Sequence, residues 1–69
     1  MSRLKLLGQN IKKYRKSRHL TQRDLAVAID CTYEFICRVE QGKMFISLRR
    51  LFQLADTLKV KMTDLIDFD

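Results

Sequence analysis

The spacing of apolar residues along the chain predicts short helices joined by economical turns. Between about Arg3 and Ser17, apolar residues recur three or four positions apart, which places them on one face of a helix. The chain has no proline, only two glycines and no run of alternating β-branched residues. Most all-β folds are therefore excluded. A second segment repeats the helical spacing, and its expected apolar face is Leu48, Leu51, Leu54, Ala55 and Leu58.

Hydroxyl residues mark the expected beginnings of three helices. A Ser or Thr just before a helix accepts a hydrogen bond from a free N–H group of the first turn. Asp24 stands where it nearly completes a capping box with Thr21. Gly42 is the left-handed residue that commonly follows a helix end. The pattern predicts helices from Thr21 to near Ile29, from Thr32 to about Gln41, after Ser47 and, last, from Thr63.

The link between the second and third helices is the most informative part of the pattern. About three residues, Asp30-Cys31-Thr32, separate the two helices. Short helices joined in this way cross steeply, as in a helix-turn-helix. Asp30 suits such a turn because Asp tolerates left-handed backbone angles better than most residues. We therefore expect a single all-α domain over residues 1–69, with a helix-turn-helix at its centre.

The charge distribution favours a polyanionic partner. The net charge is +6 and the sequence pI is about 9.8. Residues 1–23 contain eight cations and no carboxylate, whereas residues 56–69 contain four carboxylates. A protein with one side facing DNA needs this polarity, although a first helix that only solvates its outer face with lysines would show it as well.

Several other classes of protein are not expected. No apolar run reaches the roughly 20 residues of a membrane span, and the N-terminal segment is too short and polar for a signal peptide. The two cysteines are expected to be free thiols, which indicates a cytoplasmic protein. With one histidine, His19, and no Cys-x-x-Cys pair, no metal site, cofactor or catalytic set is expected, and the protein should not be an enzyme.

Five motifs occur in a characteristic order. They are "LTQRDLA" at 20–26, "I-x-R-V-E-Q-G-K" at 36–43, "SL" at 47–48, "L-A-x-x-L-x-V" at 54–60 and "DLI" at 64–66. In this succession the chain resembles the phage-repressor and Cro-type, or XRE-type, helix-turn-helix domains over nearly its whole length. The resemblance implies a compact five-helix, lambda-repressor-like fold and sequence-specific binding of double-stranded DNA by a transcriptional regulator.

The third helix would then be the recognition helix, at about residues 33–41. A helical wheel puts Ile36, Val39 and Glu40 toward the core. Arg38 is the strongest candidate to bind a base, because a guanidinium can donate two hydrogen bonds to guanine. Glu34 could accept from cytosine, or it could only stabilise the helix N-terminus. The expected base contacts are Tyr33, Glu34, Cys37 and Arg38.

The resemblance also implies phosphate contacts and an internal ion pair. Thr21 and Gln22 match family residues that contact a phosphate from the start of the second helix, where free N–H groups favour an anion. Arg15 and Glu40 match a pair that joins helices one and three, and it would orient the recognition helix. The expected phosphate contacts are Lys12, Thr21, Gln22, Arg23, Thr32, Gln41 and Lys43.

Three positions depart from the family pattern. Asp30 and Lys59 stand where glycine is common, so the corner at Lys59 is expected to be strained or differently capped. Met44, Phe45 and Ile46 replace a polar loop, and they either cover the core beneath Phe35 or form a surface for a protein partner. Cys31 is expected to be buried and inert, and Cys37 could be exposed.

Two assemblies are consistent with these features. The first is a homodimer on a pseudo-palindromic operator with half-sites about one helical turn apart. Its interface is expected near the acidic C-terminus, at Leu65, Ile66 and Phe68. The second is a protein-interaction module that keeps the fold but no longer contacts bases.

Overall fold

The computed structural model describes residues 2–68, and this part of the chain folds into five helices without a strand. The predicted all-α architecture is confirmed. The ends of the first four helices agree with the sequence pattern to within one or two residues. The helices are α1 (Arg3–Ser17), α2 (Gln22–Ala28), α3 (Tyr33–Glu40), α4 (Leu48–Leu58) and α5 (Met62–Ile66).

Side-chain caps begin four of the helices. The hydroxyls of Ser2, Thr21, Thr32 and Ser47 each accept a hydrogen bond from the backbone N–H three residues later, at 3.0–3.1 Å. The Thr21 N–H donates in turn to the Asp24 carboxylate at 2.7 Å, which completes the capping box. This backbone hydrogen bond also lowers the pKa of Asp24, because it stabilises the ionised carboxylate.

The fifth helix begins one residue earlier than predicted. The Asp64 carboxylate accepts a hydrogen bond from the Lys61 N–H at 2.9 Å, and Lys61 therefore takes the N-cap position. Thr63, which was expected to start the helix, lies inside it. The carboxylate at the third helical position satisfies the free backbone donor of Lys61, and this hydrogen bond fixes the start of the helix.

Long side chains from other elements satisfy the carbonyl groups at helix ends. Arg18 donates to Leu58 O at 2.9 Å and to Lys59 O at 3.2 Å. Lys59 itself has the left-handed φ of 58° that glycine usually supplies, so the strain expected at this corner is present and Arg18 stabilises it. Asn10 donates in the same way to Leu65 O at the end of α5, at 2.9 Å. These contacts tie α1 to both C-terminal helices.

The core lies between all five helices. Of the predicted apolar face of α4, four residues are buried, but Leu48 is 63% exposed, which corrects its assignment to the core. Leu48 is the first residue of α4, one turn before the buried Leu51. The buried apolar residues are Leu7, Ile11, Leu25, Ala26, Ile29, Ile36, Val39, Leu51, Leu54, Ala55, Leu58 and Leu65.

Two glycines allow α1 to approach the end of α3 very closely. A Cβ atom on Gly8 would lie 2.4 Å from Val39 O and 2.6 Å from Glu40 O. One on Gly42, whose φ is +74°, would lie 2.6 Å from the Cα atom of Lys5. Backbone therefore packs directly on backbone at this crossing, which positions α3 against α1.

Candidate nucleic-acid interface

Helix α3 has one buried and one exposed face, as the helical wheel predicts. Ile36 and Val39 lie in the core, and Glu40 is only 6% exposed. The opposite face carries four solvent-exposed side chains, and Cys37 lies partly buried between them. The exposed side chains are Tyr33, Glu34, Arg38 and Gln41. Three of the four expected base-contacting residues thus share an accessible surface, and the fourth lies within it.

The predicted pair between Arg15 and Glu40 is present and almost completely buried. Arg15 Nε donates to Glu40 Oε2 at 2.6 Å, and Arg15 Nη2 donates to Glu40 Oε1 at 3.1 Å. The remaining guanidinium nitrogen donates to Leu20 O at 2.9 Å. The directional fork connects α1, α3 and the loop before α2, so a rotation of α3 would break two charge-assisted hydrogen bonds.

Gln22 extends this pair to the exposed face of α3. Its Nε2 donates to Glu40 Oε1 at 3.0 Å, while its Oε1 accepts a hydrogen bond from the Cys37 thiol at 3.2 Å. Each end of the Gln22 amide thus makes one hydrogen bond within the protein, whereas the resemblance implied a phosphate contact for this side chain. Cys37, which the sequence allowed to be exposed, is partly buried and makes this contact with Gln22.

Arg23 and Tyr33 join the two helices of the helix-turn-helix at their N-terminal ends. The Arg23 guanidinium lies 5.1 Å from the centre of the Tyr33 ring, in a cation–π contact. The neighbouring Cys37 thiol raises the pKa of the Tyr33 hydroxyl, which stays a hydrogen-bond donor at neutral pH. A surface cleft of about 360 Å³ lies here, and its lining residues are Arg15, Leu20, Thr21, Gln22, Arg23 and Tyr33.

Two lysines of α1, Lys5 and Lys12, lie on or near the face of α1 that packs on α3. Gly8 and Arg15 both face α3, and Lys12 lies between them on nearly the same face, within about 60° of each at 100° per residue. The Lys5 backbone lies beside Gly42, just beyond the end of α3. Lys5 and Lys12 are both exposed. Sequence reasoning identified Lys5 only as part of a basic face, because its nearness to α3 depends on the helix crossing.

Arg50 is a further residue that sequence reasoning missed. Its guanidinium donates to the carbonyl groups of Ile29 and Asp30, which form the turn between α2 and α3. Asp30 has the predicted left-handed conformation, with φ of 54°. The same guanidinium lies 5.9 Å from the centre of the Phe35 ring, which is partly buried against the core. Arg50 thus connects the turn to α4, and no local sequence motif predicts such a contact.

The expected dimer and partner surfaces require correction. Leu65 is 0% exposed and belongs to the core, and Phe68 packs partly against it, so only Ile66 of the predicted dimer surface is open, at 46%. In the loop after α3, Met44 and Ile46 also cover the core. Phe45 alone is highly exposed, at 85%. Met44 and Ile46 therefore cover the core, as the first of the two explanations predicted, whereas Phe45 does not.

The remaining candidate groups show no assembled chemistry within residues 2–68. Both cysteines are free thiols, and Cys31 is partly buried, where full burial was expected; this partial burial raises the pKa of its thiol. His19 lies exposed in the loop after α1, with φ of 59°. No cluster of metal-ligating side chains occurs in this part of the chain. None of its helices has the length and apolar character needed to cross a membrane.

Comparison with known proteins agrees with this architecture. A helix-turn-helix family model matches residues 11–65. The chain is 34% identical to the uncharacterized HTH-type transcriptional regulator MJ0272 of Methanocaldococcus jannaschii, over 91% of this chain and 96% of that protein.

Two solved structures superpose closely on the five helices. The restriction-modification controller protein C.AhdI from Aeromonas hydrophila matches with a TM-score of 0.86 and 27% identity, over 90% of this chain and 94% of C.AhdI. The clp gene regulator ClgR from Corynebacterium glutamicum shares the fold alone, with a TM-score of 0.94 and 21% identity over 97% of this chain and 71% of ClgR. The chain therefore belongs to the XRE-type helix-turn-helix family of DNA-binding domains.

Proposed function

We propose that residues 1–69 form a sequence-specific binding domain for double-stranded DNA that regulates transcription and has no enzymatic activity. The observation that carries this proposal is the exposed face of α3, whose orientation the buried Arg15–Glu40 pair holds. Cations border this face at the start of α2 and along α1. A helix presented in this way fits the major groove, which admits an α-helix.

Within the groove, the exposed side chains of α3 divide by chemistry. Arg38 would donate two hydrogen bonds to O6 and N7 of a guanine. Glu34 would accept from the N4 amino group of a cytosine, and Tyr33 would contact a thymine methyl group at the N-terminal end of the helix. Cys37 lies between these residues and offers a small side chain to the base pair below it.

Two groups of residues would hold the DNA backbone on either side of the groove. One lies at the N-terminal ends of α2 and α3, where free N–H groups accompany Thr21, Arg23 and Thr32. The other lies along α1 and at the end of α3. The residues of this second group are Lys5, Lys12, Gln41 and Lys43. The Gln22 side chain is bound to Glu40 and Cys37, so we assign it to positioning the first group rather than to a direct phosphate contact.

The salt dependence of binding tests this function directly. Fluorescence anisotropy with random-sequence duplexes of about 20 base pairs, which span two half-sites, should show affinity falling steeply as salt increases. The slope of log K against log salt should be near −0.9 for each phosphate contacted. Repeated selection from the same pool should enrich one motif. A flat salt response, or a pool that stays random after selection, would instead indicate a protein-interaction module.

Two substitutions should separate base contacts from phosphate contacts. Arg38→Ala should weaken binding to the selected motif by about 1–3 kcal/mol and relax the preference at one base pair. Lys12→Ala should weaken binding to selected and random duplexes alike and reduce the salt slope by about 1. Lys61→Ala removes the same charge next to α5, and it serves as the control. Equal effects of Arg38→Ala and Lys12→Ala on selected and random DNA would contradict the assignment.

A further inference from the structure

The outer face of α4 carries apolar side chains that the core does not cover. Leu48 is 63% exposed and Phe52 is 51% exposed. They lie four residues apart, so their side chains are neighbours on one face of the helix. Phe45, at 85% exposed, precedes the same end of α4. This face is separate from α3, and none of the contacts proposed for DNA uses it.

Two charged residues border this apolar face, and each lacks an ion-pair partner within residues 2–68. Arg49 and Asp56 are both exposed, and the ion pair formed in this part of the chain is Arg15–Glu40. Relative to Phe52, Arg49 lies about 60° around the helix and Asp56 about 40°, both on the same side, at 100° per residue. Arg49 is about 4.5 Å before Phe52 along the helix axis, and Asp56 is about 6 Å after it, at 1.5 Å per residue.

These positions complement each other under two-fold symmetry. If a second α4 packs antiparallel with the two Phe52 side chains at the axis, Arg49 of one copy lies beside Asp56 of the other. Their offset along the helix axis is only about 1.5 Å. Because the symmetry repeats every contact, two such ion pairs form, one toward each end of the Phe52 contact and both on the same side of it. The charge pattern therefore selects a second copy of the same chain rather than an unrelated partner.

We propose that the exposed face of α4 is a homodimer surface, with Phe52 at the two-fold axis, Leu48 beside it and Arg49–Asp56 pairs between the copies. The proposal replaces the C-terminal surface expected from the sequence. It rests on the proposed function in one respect only, namely that two copies occupy one two-fold DNA site. The contact area of one helix face is below the roughly 800 Å² per partner of a standard interface, so the free dimer should be weak.

Charge reversal tests the pairing without DNA. Sedimentation equilibrium from about 1 µM to about 1 mM covers the affinities expected of a weak dimer. Arg49→Asp and Asp56→Arg should each raise the dimer Kd by roughly tenfold or more, because each places like charges opposite one another twice. The double variant should return the Kd to near the wild-type value. An equimolar mixture of the two single variants should form heterodimers, since both pairs are then complementary.

Substitution of apolar residues locates the surface. Phe52→Gln should shift the equilibrium to monomer, while Ile66→Gln on α5 should leave it unchanged, and circular dichroism verifies that both remain folded. Monomeric wild-type protein over the whole concentration range would overturn the proposal. So would a double reversal no better than the single ones, or a dimer lost with Ile66→Gln and kept with Phe52→Gln. A dimer that responds as expected but shows no salt-dependent DNA binding would support this surface and contradict the proposed function alone.

Discussion

Glu40→Ala should lower the free energy of unfolding by about 3–5 kcal/mol, because it leaves the buried Arg15 guanidinium without its carboxylate. Gln22 also loses the acceptor for its amide N–H. Small domains have a total stability of only about 5 kcal/mol, so the variant should keep at most about 2 kcal/mol and unfold at low urea concentrations. Urea unfolding followed by circular dichroism measures the change. Glu34→Ala, an exposed position in the same helix, is the matched control and should cost about 1 kcal/mol or less.

A second variant separates the stabilising role of this pair from its orienting role. Replacing both partners, in Arg15→Met with Glu40→Met, removes the buried charges together, and such replacements are often close to neutral for stability. DNA affinity should nevertheless fall, because apolar contacts lack the directionality of the fork that holds α3. A double variant that keeps full DNA affinity would show that packing alone orients the helix. If Glu40→Ala lowers the free energy of unfolding by less than about 1 kcal/mol, the buried pair does not have the stabilising role assigned to it.

Gly8→Ala should destabilise the domain even though alanine is the better helix former. In an exposed helix interior the change would add about 1 kcal/mol of stability. Here the new Cβ atom would lie 2.4 Å from Val39 O and 2.6 Å from Glu40 O, and neither backbone group can rotate away. Overpacking of this kind costs about 1–3 kcal/mol, and a clash with backbone belongs at the upper end of that range. We therefore expect a net loss of about 2 kcal/mol.

The neighbouring residue provides the control for this substitution. Gln9→Ala changes an exposed position in the same turn of α1 and should be neutral or slightly stabilising. The melting temperature and the urea midpoint of Gly8→Ala should therefore fall below the wild-type values. Those of Gln9→Ala should equal the wild-type values or lie slightly above them. Increased stability of Gly8→Ala would show that α1 and α3 can separate without cost, contrary to the close backbone crossing.

Local patterns predicted most of the helices because local interactions form them. Thr21, Thr32 and Ser47 cap the helices they were expected to cap, since each hydroxyl needs only a backbone N–H three residues away. The left-handed Asp30 and Gly42 were predicted for the same reason. At the start of α5, the local pattern allows a helix that begins after Lys61 or one that begins at Thr63. The prediction chose Thr63, which was wrong.

Contacts between distant residues were predicted only where a family pattern supplied them. The Arg15–Glu40 pair was expected from the resemblance, whereas the Arg50 contact to the α2–α3 turn was not. Leu65 was assigned to a dimer surface because the acidic C-terminus seemed suited to lie away from DNA, yet packing against the other helices buries it completely. Charge and periodicity describe a segment by itself and do not determine which side of it a neighbouring helix covers.

The sequence by itself determined the five helices, the caps of α2, α3 and α4, and which face of α3 is polar. Spacings of three and four residues and a few hydroxyl groups are enough for these properties. Only the tertiary structure decided what surrounds that face. The close crossing at Gly8 brings the α1 lysines beside α3, Gln22 turns inward to Glu40, and Leu48 and Phe52 remain uncovered on α4. The physical reason is that a side chain's exposure and partners depend on how the helices pack, which no single segment specifies.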